Sequence, residues 1–418
     1  MTKGVGGYTA DEALAKLSDM TAGTVPIALE EFQARIKKAQ GLMKAQSMAA
    51  LYLHAGTSLY YFTGTRWKSS ERMVGAVLFQ TGAPLYIAPA FEKGTIKQFM
   101  TVPGEVATWE EHESPYGIIS DRLTALGLPQ GKIGLDESTP FFVSDGLAQA
   151  SPKSPLSENI RLFRYTNGAS VTAACRMIKS DAEIALMTRA KEMTLAVHKA
   201  TASMLHEGIT TAEVGAFLDA AHRKVGAPAG SYFKIVLFGP DSSFPHGVRN
   251  PKKLEFGDMV LIDTGCQLHD YISDITRSYV FGNPTEKQRE VWEAEKAAQA
   301  KAFDAAQIGT RCGDVDLAAR AELEARGFGP GYATPGLPHR TGHGIGLDIH
   351  EWPYLNWGDD TILETGMCFS NEPMICLYKE NGDGEFGVRL EDHFYMCKDG
   401  PVWFTEPSHS VDEPFANV

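Results

Sequence analysis

The sequence predicts a mixed α/β protein of two domains, and three observations predict it. At 418 residues the chain exceeds the usual size of one domain. Its first third alternates helix-like stripes with short apolar runs, whereas the part beyond Arg176 combines long helix-forming stretches with strand-like segments dense in Asp, Glu, His and Gly. A Ser- and Pro-rich stretch, SPKSPLSEN (151–159), lies shortly before that change, so residues 1–176 and 177–418 are assigned as the two domains.

The first predicted helix follows Thr9, where Thr9-x-x-Glu12 has capping-box spacing. A second covers residues 29–44, with Phe32, Ile36, Ala39 and Met43 on one stripe. Apolar or aromatic runs at 49–53, 58–62, 73–79 and 84–88, separated by Gly, Thr, Ser and Pro, read as strands joined by turns. Beyond the boundary Ser180 and Glu183 form another capping box, and Ile184, Met187, Ala190 and Thr194 recur at helical spacing. Two further helices are predicted at 211–225 and 286–306.

Composition excludes several classes. Hydrophobic residues make up 43% and charged residues 22%, the balance of a folded globular chain and not of a disordered one. With 39 Lys and Arg against 52 Asp and Glu, the net charge is −13, and no basic cluster exceeds pairs such as Lys37-Lys38 and Lys252-Lys253. Nucleic acid and anionic membranes are therefore not expected partners. No apolar run is long enough for a membrane span, and the opening MTKGVGGYTADEAL lacks the apolar core of a signal peptide, which leads to a cytoplasmic assignment. Six scattered cysteines without a CxxC pair read as reduced core thiols and exclude a zinc finger.

The chemistry concentrates in the second domain. GDMVLID (257–263) reads as a buried strand ending in Asp263, and YISDITRSYV (271–280) as a second strand containing Asp274. With Gly265 in the connection, an antiparallel hairpin brings the two carboxylates together, and a buried like-charged pair requires a cation between its members. A surface turn with solvated acids is the plainer alternative, weakened by the four apolar residues that precede Asp263. Downstream, residues 367–378 and 386–397 read as strands flanking the turn-rich KENGDGE, with Glu372 and Glu391 inside them.

Between the hairpins, PHRTGHGIGLDIHEWP carries His339, His343 and His350. Pro338, Gly342, Gly344 and Gly346 make a helix improbable, so the segment is an irregular loop or a short strand, and imidazoles among glycines are poor core filler. There is no HExxH. Four carboxylates and a histidine form an oxygen-rich site suited to two Mn²⁺, Co²⁺ or Zn²⁺ ions. A charge of about −4 from the acids balances two divalent ions, leaving a bridging hydroxide as nucleophile, and the reaction class is metal-assisted hydrolysis.

HRTGHGIGLDIHE (339–351), with DTG (263–265), SDITRS (273–278), NEP (371–373), RLED (389–392) and RMIKS (176–180), resembles the pita-bread metallopeptidases, in particular their prolidase and aminopeptidase P branch. The resemblance implies a creatinase-like α/β domain followed by a pita-bread catalytic domain. It implies Asp263, Asp274, His343, Glu372 and Glu391 as metal ligands, with Asp274 and Glu391 bridging two ions and Glu372 doubling as general base. His246 and His350 would contact substrate and stabilise the tetrahedral intermediate. Arg389 would orient an acidic ligand and stands with the substrate-binding residues, and His339 would line the pocket for the proline end. Cys376 departs from the tyrosine many relatives carry there, while the presence of all five ligands argues against creatinase.

The expected function is hydrolysis of Xaa-Pro dipeptides by a homodimer, the alternatives being an Xaa-Pro aminopeptidase, a hydrolase of another small amide or C–N bond, and a binding module without catalysis. In the first domain the loop TGTRWK (63–68) offers Arg66 and Trp67, which suit a peptide's carboxylate and apolar ring. An ordinary solvated loop with a partly buried Trp67 is the plainer reading.

Overall fold

Three of the four apolar runs of the first third form strands in the computed structural model, which describes residues 1–415. Residues 416–418, the end of the second assigned domain, lie outside the described residues. Strands Met48–His54, Gly75–Phe79 and Leu85–Pro89 join Glu105–Trp109, Gly131–Leu135 and Phe163–Asn167 in one six-stranded mixed sheet. Its central strand, Met48–His54, is buried along its length, runs antiparallel to Gly75–Phe79 with Leu51 opposite Leu78, and parallel to Gly131–Leu135.

The fourth run corrects the sequence reading: residues 58–62 belong to a helix, Thr57–Thr63. Every residue from Ser58 to Thr63 is buried, so no polar face exposes the helical period and a short apolar run gives no sign of its type. Gly64, left-handed at φ 68°, ends the helix. The 151–159 stretch is also structured, its residues contributing to a small hairpin of Lys153–Ser154 with Ser157–Arg161.

The chain divides into two compact units, Ile27–Arg176 and Met1–Pro26 together with Met177–Val418. The division at Arg176 is shared with the sequence reading, but residues 1–26 belong with the second part. Their helix Ala10–Ala15, closed by the Thr9–Glu12 capping box, packs on helices Asp181–Met204 and Thr211–Lys224.

In this larger unit Ser231–Phe238, Met259–Leu268 and Ile275–Val280 form an antiparallel sheet, with Asp263 opposite both Ile235 and Thr276. A second sheet orders Glu351–Leu355, Gly342–Gly344, Cys368–Asn371, Asp392–Cys397 and Gly400–Trp403. The hairpin of Met374–Tyr378 with Gly384–Arg389 extends from it. Helices Glu286–Ala305 and Cys312–Ala325 pack against each other, with fully buried Trp292 donating Nε1–H to Ser278 O at 2.9 Å. Helix Cys312–Ala325 is absent from the sequence reading, since Arg311 before it makes no side-chain cap. Among the described residues, no helix is long and apolar enough to cross a membrane.

Candidate metal centre

Three of the four candidate acids stand where a strand ends or is interrupted; Asp263 instead lies inside the continuous strand Met259–Leu268, which runs on past the point where the sequence reading ended it. Asp274 falls between Tyr271–Ile272 and Ile275–Val280, Glu372 between Cys368–Asn371 and Met374–Tyr378, and Glu391 between Gly384–Arg389 and Asp392–Cys397. The two glutamates therefore lie at breaks and not inside continuous strands as the sequence reading had them. A continuous ladder alternates side chains strictly between faces, and a break lets one residue turn inward out of that alternation. Close approach of the backbones explains two glycines: a Cβ on Gly265 would stand 1.7 Å from Ser273 O, and one on Gly342 2.1 Å from Ser370 O.

Carboxylate oxygens of Asp274 and Glu391 and a ring nitrogen of His343 lie within 4.8 Å of one another, all buried. His343, on the short strand Gly342–Gly344, has Nε2 3.0 Å from Glu372 Oε1 and 3.7 Å from Asp274 Oδ2. Its Nδ1–H donates to Gly344 O at 2.9 Å, which orients the ring so that Nε2 faces the acids. Asp263 is held by Arg389, whose Nη2 donates to its Oδ2 while Nε donates to Thr276 Oγ1 at 3.0 Å. Thr276 in turn donates to Glu391 Oε2 at 2.7 Å.

The electrostatics of this cluster are strained. Burial, then Glu391, Asp263 and Glu372, drives the Asp274 carboxyl well above the carboxylate range. Burial, then Glu372 and Asp263, does the same to Glu391. Asp263 is raised by burial against the pull of Arg389. Burial acts upward on Glu372 as well, but the hydrogen bond and charge of His343, with His339 and Arg389, bring it below its ordinary value.

Asp263 Oδ1, Asp274 Oδ1 and Glu391 Oε1 are buried and make no hydrogen bond. Leaving several carboxylate oxygens bare in a protein interior is costly unless a cation takes them, so this donor set fits divalent metal. The cysteines do not contribute: Cys175, Cys266, Cys312, Cys368 and Cys376 are buried free thiols, with Cys376 pushed up to about 12 by burial.

His350, just ahead of strand Glu351–Leu355, stacks edge-on against His343, with burial first and then His343 and Arg340 holding it down to about 4. It is a neutral imidazole at neutral pH. His246 is exposed and lines an open cavity of about 520 Å³ with Lys234 and Leu237, a cavity whose walls include none of the five converging side chains. It reaches the cluster electrostatically, through its effect on His350. His339 bonds the Arg340 carbonyl through Nδ1 at 2.7 Å and leaves a buried Nε2 without a partner. The buried contacts of Arg389 are those of a group supporting Asp263.

Arg66 and Trp67 belong to the other unit. There the exposed Arg66 guanidinium lies 4.6 Å from the Tyr60 ring centroid, and half-buried Trp67 meets Phe99 edge-on at 6.2 Å.

Three residues escaped the sequence reading. Thr276 links Arg389 to Glu391. Ser370 Oγ donates to Glu372 Oε1 at 3.0 Å and accepts from His343 N at 2.9 Å. His393 is fully buried, with Nε2 3.7 Å from Glu391 Oε1. The strand period of two, counted from Glu391, was the available signal for His393.

Comparison with known proteins agrees with this geometry. Residues 185–398 match metallopeptidase family M24, and residues 35–161 match the Creatinase/Prolidase N-terminal domain. The Xaa-Pro dipeptidase of Pyrococcus furiosus is 30% identical over 379 residues, covering 90% of this chain and 99% of that protein. Among solved structures, dipeptidase PepE from Mycobacterium ulcerans superposes with a TM-score of 0.80 at 29% identity, covering 93% of this chain and 99% of that one. A dipeptidase from Pyrococcus horikoshii OT3 gives 0.77 at 27% identity, covering 90% and 99%. With its buried acids and histidine gathered in the matched region, the chain belongs to metallopeptidase family M24, in its prolidase-like form with a creatinase-type N-terminal domain.

Proposed function

We propose that this metallopeptidase is an Xaa-Pro dipeptidase in which Asp263, Asp274, His343, Glu372 and Glu391 would hold two divalent ions. The observation that carries the reading is the buried convergence of Asp274, His343 and Glu391 with carboxylate oxygens left bare. The names of the similar dipeptidases support the substrate class.

When bound, such ions lower the pKa of a water and polarise the scissile carbonyl. Glu372 is the general base: with Oε1 engaged by Ser370 and His343, it takes the proton at Oε2. His350, neutral and beside His343, donates a hydrogen bond to the oxygen on which charge develops, and His246 adds positive potential from the exposed side. Arg389 orients Asp263 and favours its ionised form against the effect of burial. The buried Nε2 face of His339 forms one wall of the proline pocket; in the other unit, Arg66 and Trp67 offer a cation and an aromatic ring of the kind that suits a peptide's carboxylate and apolar ring.

The protein acts in the cytoplasm as a homodimer in this reading, and Mn²⁺, Co²⁺ or Zn²⁺ would serve as the ion. Manganese-loaded protein incubated with Ala-Pro, Gly-Pro-Ala and dipeptides lacking proline tests the assignment. Cleavage of Ala-Pro alone is expected. Release of glycine from Gly-Pro-Ala would replace it with an aminopeptidase, and cleavage of none would direct attention to another small amide.

A further inference from the structure

A strand interrupted so that one side chain can turn inward leaves backbone groups without ladder partners, and buried ones must be bonded elsewhere. Around Asp274, helix Asp181–Met204 bonds two backbone carbonyls and one side-chain hydroxyl. Lys191 Nζ donates to Ile272 O at 3.4 Å, Thr194 Oγ1 lies 2.7 Å from Ser273 Oγ, and His198 Nε2 lies 2.9 Å from Ile275 O. Positions 191, 194 and 198 fall on one helix face, and all three side chains are fully buried.

Helix Glu286–Ala305 does the same for the other two breaks. Gln299 Nε2 lies 3.0 Å from Leu390 O, 3.4 Å from Asn371 O and 3.2 Å from Asp392 Oδ2, while Lys296 Nζ donates to its Oε1 at 3.3 Å. One turn earlier, Glu295 Oε1 accepts from Leu390 N at 3.3 Å. Leu390 and Asn371 directly precede Glu391 and Glu372, so one buried amide ties together the carbonyls from which both acids depart. Asn371 returns the contact, its Nδ2 donating to Gln299 O at 2.8 Å.

Packing alone does not ask for polar side chains on these two helix faces. Burying an amide, an acid and an ammonium costs free energy that leucine or alanine would not incur, unless each is matched to a specific partner. Apart from Lys296, every partner of these side chains named above is within two residues of a candidate ligand.

We propose that these two buried polar stripes are positioning residues for the metal ligands: Lys191, Thr194 and His198 fix the break that presents Asp274, and Glu295 and Gln299 fix the paired breaks that present Glu372 and Glu391. The inference rests on reading those acids as metal ligands.

The test titrates metal-free wild type, Gln299→Leu, His198→Leu, Glu295→Leu and Glu295→Gln with Mn²⁺ in a calorimeter, with the melting temperature of each metal-free protein measured alongside. Gln299→Leu and His198→Leu are expected to bind Mn²⁺ roughly 10- to 100-fold more weakly, at temperatures where both are folded. Glu295→Gln should keep wild-type affinity and Glu295→Leu should lose it, because glutamine retains the acceptor for Leu390 N and burial already biases this acid toward its neutral form. If Gln299→Leu or His198→Leu does not fold, the Glu295 pair decides. Wild-type binding with undiminished affinity in the folded variants would overturn the positioning role while leaving the metal site standing, and so would equal loss in both Glu295 variants. Absence of Mn²⁺ binding by the wild type would overturn the metal reading itself.

Discussion

The ring of His350 stands edge-on to that of His343, with centroids 4.3 Å apart and planes at 74°. His343 turns Nε2 to Glu372 and Asp274, so its neighbour sits beside the acids without contributing to their cluster. His350→Ala should therefore lower turnover by on the order of 10²–10³ while the protein keeps its metal, as for loss of one charge-stabilising donor. Metal content by elemental analysis, beside kcat, checks this. Loss of an ion would make His350 a ligand.

On the proposed ligand set, Asp263→Asn and Glu372→Gln each remove one of four negative groups that would balance two divalent ions. Both should abolish Ala-Pro hydrolysis and reduce Mn²⁺ bound per chain. Near-normal turnover with two ions retained in either variant would sink the dinuclear assignment.

Removing metal should destabilise the protein, and Mn²⁺ should raise its melting temperature. Unfolded carboxyls titrate near about 4. Asp274 and Glu391 titrate well above that in the folded chain, chiefly through burial, so from pH 4 upward these two sites hold more protons in the metal-free fold than in the unfolded chain. Their contribution to metal-free stability thus declines as pH rises through the raised values. Glu372 has the opposite sign, contributing stability that is lost only on acidification below the ordinary carboxylate range. Because metal must displace the retained protons, the Mn²⁺-induced gain in melting temperature should be larger at pH 8 than at pH 6. Equal gains at both pH values would argue against proton-retaining acids.

Lys179 Nζ and Glu351 Oε2 form a buried ion pair at 3.0 Å, and Glu351 Oε1 accepts from Leu347 N and Asp348 N at 2.9 and 3.1 Å. This pair secures the loop that ends in His350. Lys179→Met removes the cation that faces this buried carboxylate and should cost about 3–5 kcal/mol in denaturant unfolding. If unfolding free energy stayed within about 1 kcal/mol of wild type, the loop would be held by other means.

Arg66→Ala and Trp67→Ala should raise KM for dipeptides with metal content intact. Trp67→Ala should also lower the melting temperature, since its ring packs on Phe99. Unchanged KM in both would leave the loop a packing element.

By itself the sequence determined the helices with capping boxes after Thr9 and Ser180 and the strands with strong apolar runs, because caps and periodicity are local physics. The family was also legible, since HRTGHGIGLDIHE, NEP and RLED keep glycines where backbones nearly touch and acids where strands break. Only the tertiary structure decided that 58–62 is a helix, because burial on every side erases the pattern that separates helix from strand. It alone joined Met1–Pro26 to the catalytic unit, through contacts with residues nearly two hundred positions away. It alone brought Thr276, Ser370, Gln299 and His393 to the acids, for a hydrogen bond between distant segments leaves no spacing in the sequence. The local chain specified which groups could bind metal; the packing of helices behind interrupted strands decided where those groups point.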